Sequence, residues 1–328
     1  MKKNKLNLLS LINTHTHAAM VAFRGMAEDL PLKVWLEKHI WPAEAKMVNP
    51  DFVYRNTKKA IIEMRKNDIE AFCDMYFFEE EVARAASELK MYVVIGEVIL
   101  DFPTPSAKNA DESLAITEKL LKKYKNNKYV KVAVAPHSIY AVSRKTLVKC
   151  RNLAKKYNVP THIHLAETKF EFDECMKKNK CTPVEYLDKL GMLNEKTILA
   201  HCVWVTDKDI KILAKRKANV AHCPLSNLKL GSGIAPVAKM IEKGVNVALG
   251  TDGAASSNCL DIWEAGKFAA LLQKGMTGDP TQIPARTAIE MMTINGMKAL
   301  GIKKIKNKNQ NQIKKDLGKI KDFSFLYE

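Results

Sequence analysis

The chain lacks any Cys-x-x-Cys pair. Its seven cysteines, Cys73, Cys150, Cys175, Cys181, Cys202, Cys223 and Cys259, are scattered and odd in number. That pattern argues against a thiolate zinc site and a disulfide framework, and it predicts a reduced, cytoplasmic setting. No apolar stretch approaches the ~20 residues a membrane helix needs. The start, Met-Lys-Lys-Asn-Lys-Leu, is basic and leads into a short apolar run. That run carries Asn13, His15 and His17 and has no small-residue cleavage site, so it reads as a strand and not as a signal peptide. There is no internal repeat and no Rossmann glycine pattern, and Gly231-Ser-Gly-Ile reads as a turn, not a phosphate loop. Acidic residues are outnumbered, 36 against 53 basic, for a net charge of +17. Such a charge raises nucleic acid as a partner. The lysines, however, are spread along helix-like segments and concentrated in a tail at 303–321, with no recognisable nucleic-acid module. They are read as solvated surface.

With 328 residues, 47% of them hydrophobic, the chain can bury one large core. Strand candidates fall at 8–17, 69–76, 91–99, 130–138, 160–167, 197–204, 219–227 and 245–253. Most are continuous apolar runs, as expected of parallel strands buried on both faces. Helix-like stretches separate them, at 54–66, 79–89, 111–126, 143–157, 206–216 and 235–243. Strand–helix alternation implies a parallel sheet. Eight such strands, several ending in ligand-type residues, predict an α/β fold, a closed (β/α)8 TIM-type barrel with its chemistry at one mouth. Residues 29–42 are expected to form a helical cover over that mouth, and 281–301 the last helical element. The domain reading is a barrel over 1–302 and a polar, loosely ordered Lys/Asn-rich tail over 303–328, ending in an apolar stub at 323–327.

His15 and His17 are two apart on a strand, so their imidazoles share a side. With His164 and Asp252 they offer three nitrogens and one carboxylate oxygen, a set that suits a zinc-like divalent ion with a position open for water. Any one of these histidines alone reads as a hydrogen-bonded core residue; the four together read as a metal site. Glu167, three residues after His164, can sit beside the ligand sphere and shuttle a proton, where the plain alternative is a cap or surface acid. His201 is either a fifth ligand or the residue that holds the attacking water. His137 ends the fourth strand and is expected to face substrate. Glu44 follows Trp41-Pro42 and by pattern alone is an ordinary helix start. His162 and His222 are left as core or supporting residues.

These residues sit in stretches that resemble the adenosine-type deaminases of the amidohydrolase superfamily. The stretches are Asn13-Thr-His-Thr-His-Ala-Ala-Met, Arg24-Gly-Met-Ala-Glu-Asp-Leu-Pro-Leu, Trp41-Pro-Ala-Glu, Asp74-Met-Tyr-Phe, Pro136-His-Ser and His162-Ile-His-Leu-Ala-Glu-Thr, followed by Ala200-His-Cys-Val, Ser226-Asn-Leu-Lys-Leu-Gly-Ser-Gly-Ile-Ala-Pro and Leu249-Gly-Thr-Asp-Gly-Ala-Ala-Ser. The likeness runs from about residue 10 to 300 and is strongest to the methylthioadenosine/S-adenosylhomocysteine deaminase group, including its archaeal 5′-deoxyadenosine deaminase branch. It implies one divalent metal, zinc before iron, manganese or nickel, on His15, His17, His164 and Asp252. His137 stands where two-metal members often carry a carbamylated lysine, which fits a single ion. The resemblance further implies that Glu44 holds the ribose hydroxyls, which displaces the helix-start reading, and that His137 touches the nucleoside. Glu167 would protonate the purine N1, His201 would orient the water, and Asp252 would take its proton.

Three departures carry expectations of their own. Glu97 stands where relatives that accept S-adenosylhomocysteine can carry an arginine, so an uncharged 5′ group is expected. The family's small β-sandwich is expected to be largely absent, with a vestigial strand near 317–323 and an apolar flank that a second subunit would cover. Asn67-Asp-Ile-Glu-Ala-Phe replaces a Gly-Thr-Thr-type turn and puts stability in question. The competing functions are another amidohydrolase, such as a guanine or pterin deaminase, and a nonenzymatic basic barrel that binds RNA.

Overall fold

The structure, a computed structural model, describes residues 10–306 and 308–327. Its barrel strands are β1 (Leu11–Thr16), β2 (Ile69–Asp74), β3 (Tyr92–Ile95), β4 (Val130–Val132), β5 (Thr161–Leu165), β6 (Thr197–His201), β7 (Asn219–His222) and β8 (Asn246–Leu249). They form two parallel runs, β1-β2-β3-β4 and β5-β6-β7-β8. A bridge from Val134 to Thr161 joins the runs on one side. On the other, the Asp252 N–H donates to the His15 carbonyl (3.0 Å) and the Thr14 hydroxyl to the Leu249 carbonyl (2.7 Å), which closes the barrel. The continuous apolar runs follow from burial on both faces: Ile12, Val93, Ile163, Ile198, Val220 and Val247 are all fully enclosed.

The closing seam needs a residue without a side chain. A Cβ on Gly250 would lie 2.9 Å from the His15 Cβ and 3.0 Å from the Cys223 Sγ. Gly250→Ala is therefore expected to cost about 1–3 kcal/mol by overpacking, read as a lowered Tm, and to disturb His15 with it.

The strand ends differ from the sequence reading where local chemistry intervenes. The run at 91–99 breaks after Ile95, and Val98–Ile99 pairs separately with Ala135–Pro136. The run at 219–227 stops at His222, because Pro224 opens a helix over Pro224–Lys229. The helix expected over 54–66 starts earlier, at Pro50, where the Asn49 side chain accepts the Phe52 N–H (2.9 Å) and caps it. The element expected over 281–301 divides at Thr293 into Ala285–Met292 and Ile294–Ala299. Helix Ile262–Thr277, capped by Asp261, was not marked by patterning at all. The Asn67–Asp68 turn is made with Asp68 in the left-handed region (φ 59°), which aspartate tolerates better than most residues, and Asn67 Nδ2 donates to the Leu260 carbonyl (3.0 Å).

Polarity predicts loose order for the tail and the family likeness a vestigial strand near 317–323; in this region the structure forms a short antiparallel pair and a helix. Lys304–Ile305 and Lys308–Asn309 pair, and a capping box of Asn309 and Gln312 starts the helix Gln310–Gly318. Ile313, Leu317, Phe325 and Leu326 from this region are buried against the core. Residues 1–9, which include the basic start and the first positions of the 8–17 run, lie outside the described residues. Among the described residues no helix is long and apolar enough to cross a membrane.

The expected cover is present in three joined pieces. Leu32–Trp35 is α-helical, Leu36–Ile40 winds as a π-helix, and Trp41–Met47 resumes the α-helix. Wide turns of this kind tend to accompany functional sites. Here the turn precedes the segment that carries buried Glu44 into the mouth.

Candidate metal centre and active site

The four predicted ligands converge at the C-terminal ends of the strands. His15 and His17 come from the end of β1, His164 from β5, and Asp252 lies just past β8; their ligand atoms all fall within 4.8 Å of one another. Asp252 Oδ1 is 3.3 Å from His15 Nε2 and 3.2 Å from His17 Nε2, and His164 Nε2 is 3.4 Å from His17 Nε2.

Each outer ring nitrogen has a partner that turns the inner one toward this point. His17 Nδ1 donates to the Met75 carbonyl (2.5 Å) and His164 Nδ1 to the His137 carbonyl (2.8 Å). His15 Nδ1 is 2.9 Å from His162 Nε2, and His162 Nδ1 is 3.3 Å from Cys73 Sγ. His15 Nε2 is fully buried with no hydrogen-bond partner. With the proton of His15 on Nδ1, His162 accepts it and directs its own N–H at Cys73, so one chain fixes both tautomers. On Asp252, Oδ2 accepts from Ser226 (2.6 Å) and Ser256 (2.8 Å), while the Gly253 N–H donates to Oδ1 (2.8 Å).

The electrostatics ask for a positive charge at this spot. Burial holds His15 down to about 4 and takes His164 well below its usual value. Burial works against the charged form of Asp252 too, but the His15 and His17 imidazoles beside it keep its carboxyl well below the usual range. Burial also opposes charge on His17, yet Asp252 draws that imidazole up to about 9. A buried carboxylate faced by three imidazoles, one with an orphaned nitrogen, fits a divalent cation with mixed nitrogen and oxygen ligands.

Supporting partners commonly set ligand affinity as well as orientation. His162→Asn is expected to weaken metal binding by roughly 10–100-fold, measured by chelator competition on the purified protein.

Beside this nest lie the two proton-handling candidates. His201 Nε2 is 3.8 Å from Glu167 Oε2, and its Nδ1 donates to Asn227 Oδ1 (2.8 Å), which leaves the Nε2 lone pair facing the cavity. Glu167 is 4% exposed, and burial raises its pKa above the ordinary carboxyl value. Ala166, His201, Cys202 and Asp252 all have positive φ (52°, 75°, 49° and 61°), a strained backbone that recurs at active sites.

Outward from the metal nest, the cavity is lined by Glu44, Trp41, Tyr76, His137 and Tyr140 among others. Burial lifts the Glu44 carboxyl to about 7, partly opposed by the Tyr76 hydroxyl. His137 is held down to about 3 by burial first and by neighbouring imidazoles second. Its carbonyl, which aims His164, is a second role that sequence reading did not give it.

One expectation fails. Glu97 is not at the cavity: it is fully buried, accepts the Glu79 N–H (2.9 Å) and the Ser106 hydroxyl (2.5 Å), and is absent from the lining, where Val98 and Leu100 appear. A carboxylate turned inward cannot repel a charged 5′ group, so that argument against S-adenosylhomocysteine falls. Sequence reading also missed Ser226, Ser256, Asn227, Ser232 and Tyr76. All five lie inside the stretches that carry the resemblance, but no spacing rule marks a hydroxyl or amide that acts only through its neighbour.

A model of the amidohydrolase family matches residues 8–305. The chain belongs to the amidohydrolase family. Among its relatives, this amidohydrolase is 54% identical to a 5-methylthioadenosine/S-adenosylhomocysteine deaminase of Thermodesulfovibrio yellowstonii, over 89% of the chain and 67% of the relative. It is 43% identical to a 5′-deoxyadenosine deaminase of Methanothrix thermoacetophila, over 92% of the chain and 71% of the relative. A solved adenosine deaminase from Xanthomonas campestris with bound zinc superposes with a TM-score of 0.88 at 38% identity, covering 89% of this chain and 67% of the other.

Proposed function

We propose that this amidohydrolase deaminates adenine nucleosides hydrolytically, to the inosine analogue and ammonia, with 5′-deoxyadenosine and 5′-methylthioadenosine as its first substrates. The observation that carries the reading is the juxtaposition of the three-histidine, one-aspartate nest with a buried, protonation-prone Glu167. The deaminase relatives and the zinc-bound neighbour support it.

His15, His17, His164 and Asp252 would hold the cation, which we take to be zinc from the nitrogen-rich donor set and the zinc-bound neighbour. When bound there, a divalent cation supplies the Lewis acidity that makes water nucleophilic near neutral pH. Asp252 accepts a proton from that water as its oxygen attacks C6 of adenine. Glu167 delivers a proton to N1, so negative charge does not build up on the ring. His201, held by Asn227, keeps the attacking oxygen in line through Nε2. Glu44 receives the ribose hydroxyls, and His137 packs beside the nucleoside. Asp252 then passes its proton to the amino group, which leaves as ammonia, and the proton of the new C6 hydroxyl returns to Glu167, so one water in balances one ammonia out and both carboxylates are reset. The free and mostly buried cysteines support a reducing, cytoplasmic setting.

The test is ammonia release across adenine nucleosides, with metal analysis of the same sample. About one divalent ion per chain and turnover of 5′-deoxyadenosine or 5′-methylthioadenosine are expected. Turnover of guanine or pterins alone, or salt-sensitive RNA binding without ammonia release in metal-loaded protein, overturns the reading.

A further inference from the structure

The short helix Pro224–Lys229 carries several of the contacts around the metal nest. Its Ser226 donates to Asp252 Oδ2, and its Asn227 accepts from His201 Nδ1. Its last residue, Lys229, takes no part in the proposed proton transfers. Yet Lys229 is not a free surface cation. Its side chain is 18% exposed, and each of its three ammonium protons has an acceptor. Nζ lies 3.0 Å from Glu28 Oε1 and 2.8 Å from Oε2; it also donates to the Ala255 carbonyl (3.1 Å) and to Asn258 Oδ1 (2.8 Å). Ala255 and Asn258 follow β8 in the same turn as Asp252 and Ser256. Glu28 comes from elsewhere, the lead-in to the cover at 24–31.

That lead-in does not hold its shape unaided. Gly25, Ala27 and Asp29 all lie in the left-handed region (φ 76°, 56° and 60°). Alanine disfavours this conformation, which persists where surrounding contacts impose it. Arg24 ties the lead-in to Glu63 (2.5 Å), on the helix Pro50–Lys66 into which the cover runs. Lys229 ties it to the elements that bear the metal nest. Within the cover, Trp35 Nε1 donates to the Met26 carbonyl (3.2 Å), so the lead-in and the helical pieces move together. Leu32, Trp35, Leu36, Ile40, Trp41 and Glu44 of those pieces line the catalytic cavity. Holding Glu28 therefore sets where the cover begins, and the cover sets where Glu44 stands.

We propose that Lys229 is a positioning residue for the deamination: it fixes the cover against the metal-bearing end of the barrel, so that Glu44 meets the ribose hydroxyls while C6 lies at the metal nest. The inference rests on the deaminase reading and deepens it.

The test uses Lys229→Met, which keeps the stem and removes the charge, and Glu28→Gln, which leaves the catalytic helix untouched. Both are assayed as metal-loaded full chains with 5′-deoxyadenosine as substrate. The competitor is 2′,3′,5′-trideoxyadenosine, which lacks the two ribose hydroxyls. In Lys229→Met, KM is expected to rise roughly tenfold, with kcat within about threefold of wild type. The Ki of the competitor and the metal content should stay in place, because neither depends on Glu44. Glu28→Gln should shift KM in the same direction. The double variant should be no worse than Lys229→Met, since both changes break one tie. Trypsin should also cut faster at Lys33 and Lys38, the exposed lysines of the cover, in each variant.

A role confined to supporting its own helix gives a different pattern, because Ser226 and Asn227 would then shift: metal loss, or a fall in kcat with KM unchanged. Either of these, an equal rise in KM and in the competitor's Ki, or a silent Glu28→Gln overturns the proposal and leaves the deaminase reading intact. No ammonia from any adenine nucleoside in the wild-type protein overturns the deaminase reading. The tie itself is then judged by trypsin alone, and an unchanged cleavage rate in Lys229→Met overturns it as well.

Discussion

Glu167→Gln is expected to lower kcat by roughly 10²–10⁴-fold while the protein keeps its fold and its metal. The glutamine preserves size and can still accept from Ser232, which lies 3.5 Å from Glu167 Oε1, but it cannot transfer a proton. The four side chains of the candidate metal nest are untouched by the change. The pH profile gives an independent reading. Burial raises the Glu167 pKa, so the acid form persists closer to neutral pH than that of an exposed carboxyl. A residue that must donate is lost as pH rises through its pKa. Wild-type kcat should therefore decline on the alkaline side of that value, and the variant should lose this limb together with the rate. Single-turnover ammonia release across pH measures both. Wild-type activity in the variant would remove Glu167 from the chemistry.

Asp252→Asn is the second large effect, because the proposed mechanism gives this residue both metal binding and proton transfer. Its Oδ1 faces both β1 histidines, and its Oδ2 accepts from Ser226 and Ser256. The amide removes the negative charge and places a donor where one oxygen received hydrogen bonds. Loss of the cation is expected, and with it a fall in kcat/KM on the order of 10³ or more, the equivalent of several kcal/mol of charge stabilisation. Metal analysis after gel filtration and the deamination assay separate two cases: a protein that is inactive because it is empty, and one that binds metal yet fails to move the proton. Full metal content with wild-type activity would contradict both roles.

The barrel was legible because its period is simple. Strands buried on both faces announce themselves as apolar runs, and His15, His17, His164 and Asp252 stood at the ends of such runs. The four candidate ligands could therefore be picked out without knowing any distance. Glu167 and His201 followed from adjacency to those ends. What could not be read was orientation within the third strand. Glu97 looked like a cavity residue by its position, yet the kink after Ile95 carries its side chain inward to the Glu79 N–H and Ser106. A one-residue change of direction moves a side chain to the other face, and a continuous apolar run does not record it. The order within the tail was hidden for another reason. Its lysines and asparagines hide the few apolar residues, Ile313, Leu317, Phe325 and Leu326, that dock it. Composition averaged over a segment is blind to which residues share a face.

The barrel's two strand runs meet at β8 and β1 through side chains and a single backbone bond, with no paired ladder between those strands among the described residues. His15 and His17 belong to one run, while His164 and Asp252 belong to or directly follow the other. A cation held by all four, as proposed, would rivet the half-barrels together and favour the closed form. At a thousand times its dissociation constant such an ion adds about 4 kcal/mol to folding stability. Scarcity of the ion would then shorten the lifetime of the polypeptide itself, and the cell's metal supply would govern how much of this enzyme exists as well as how fast each copy works.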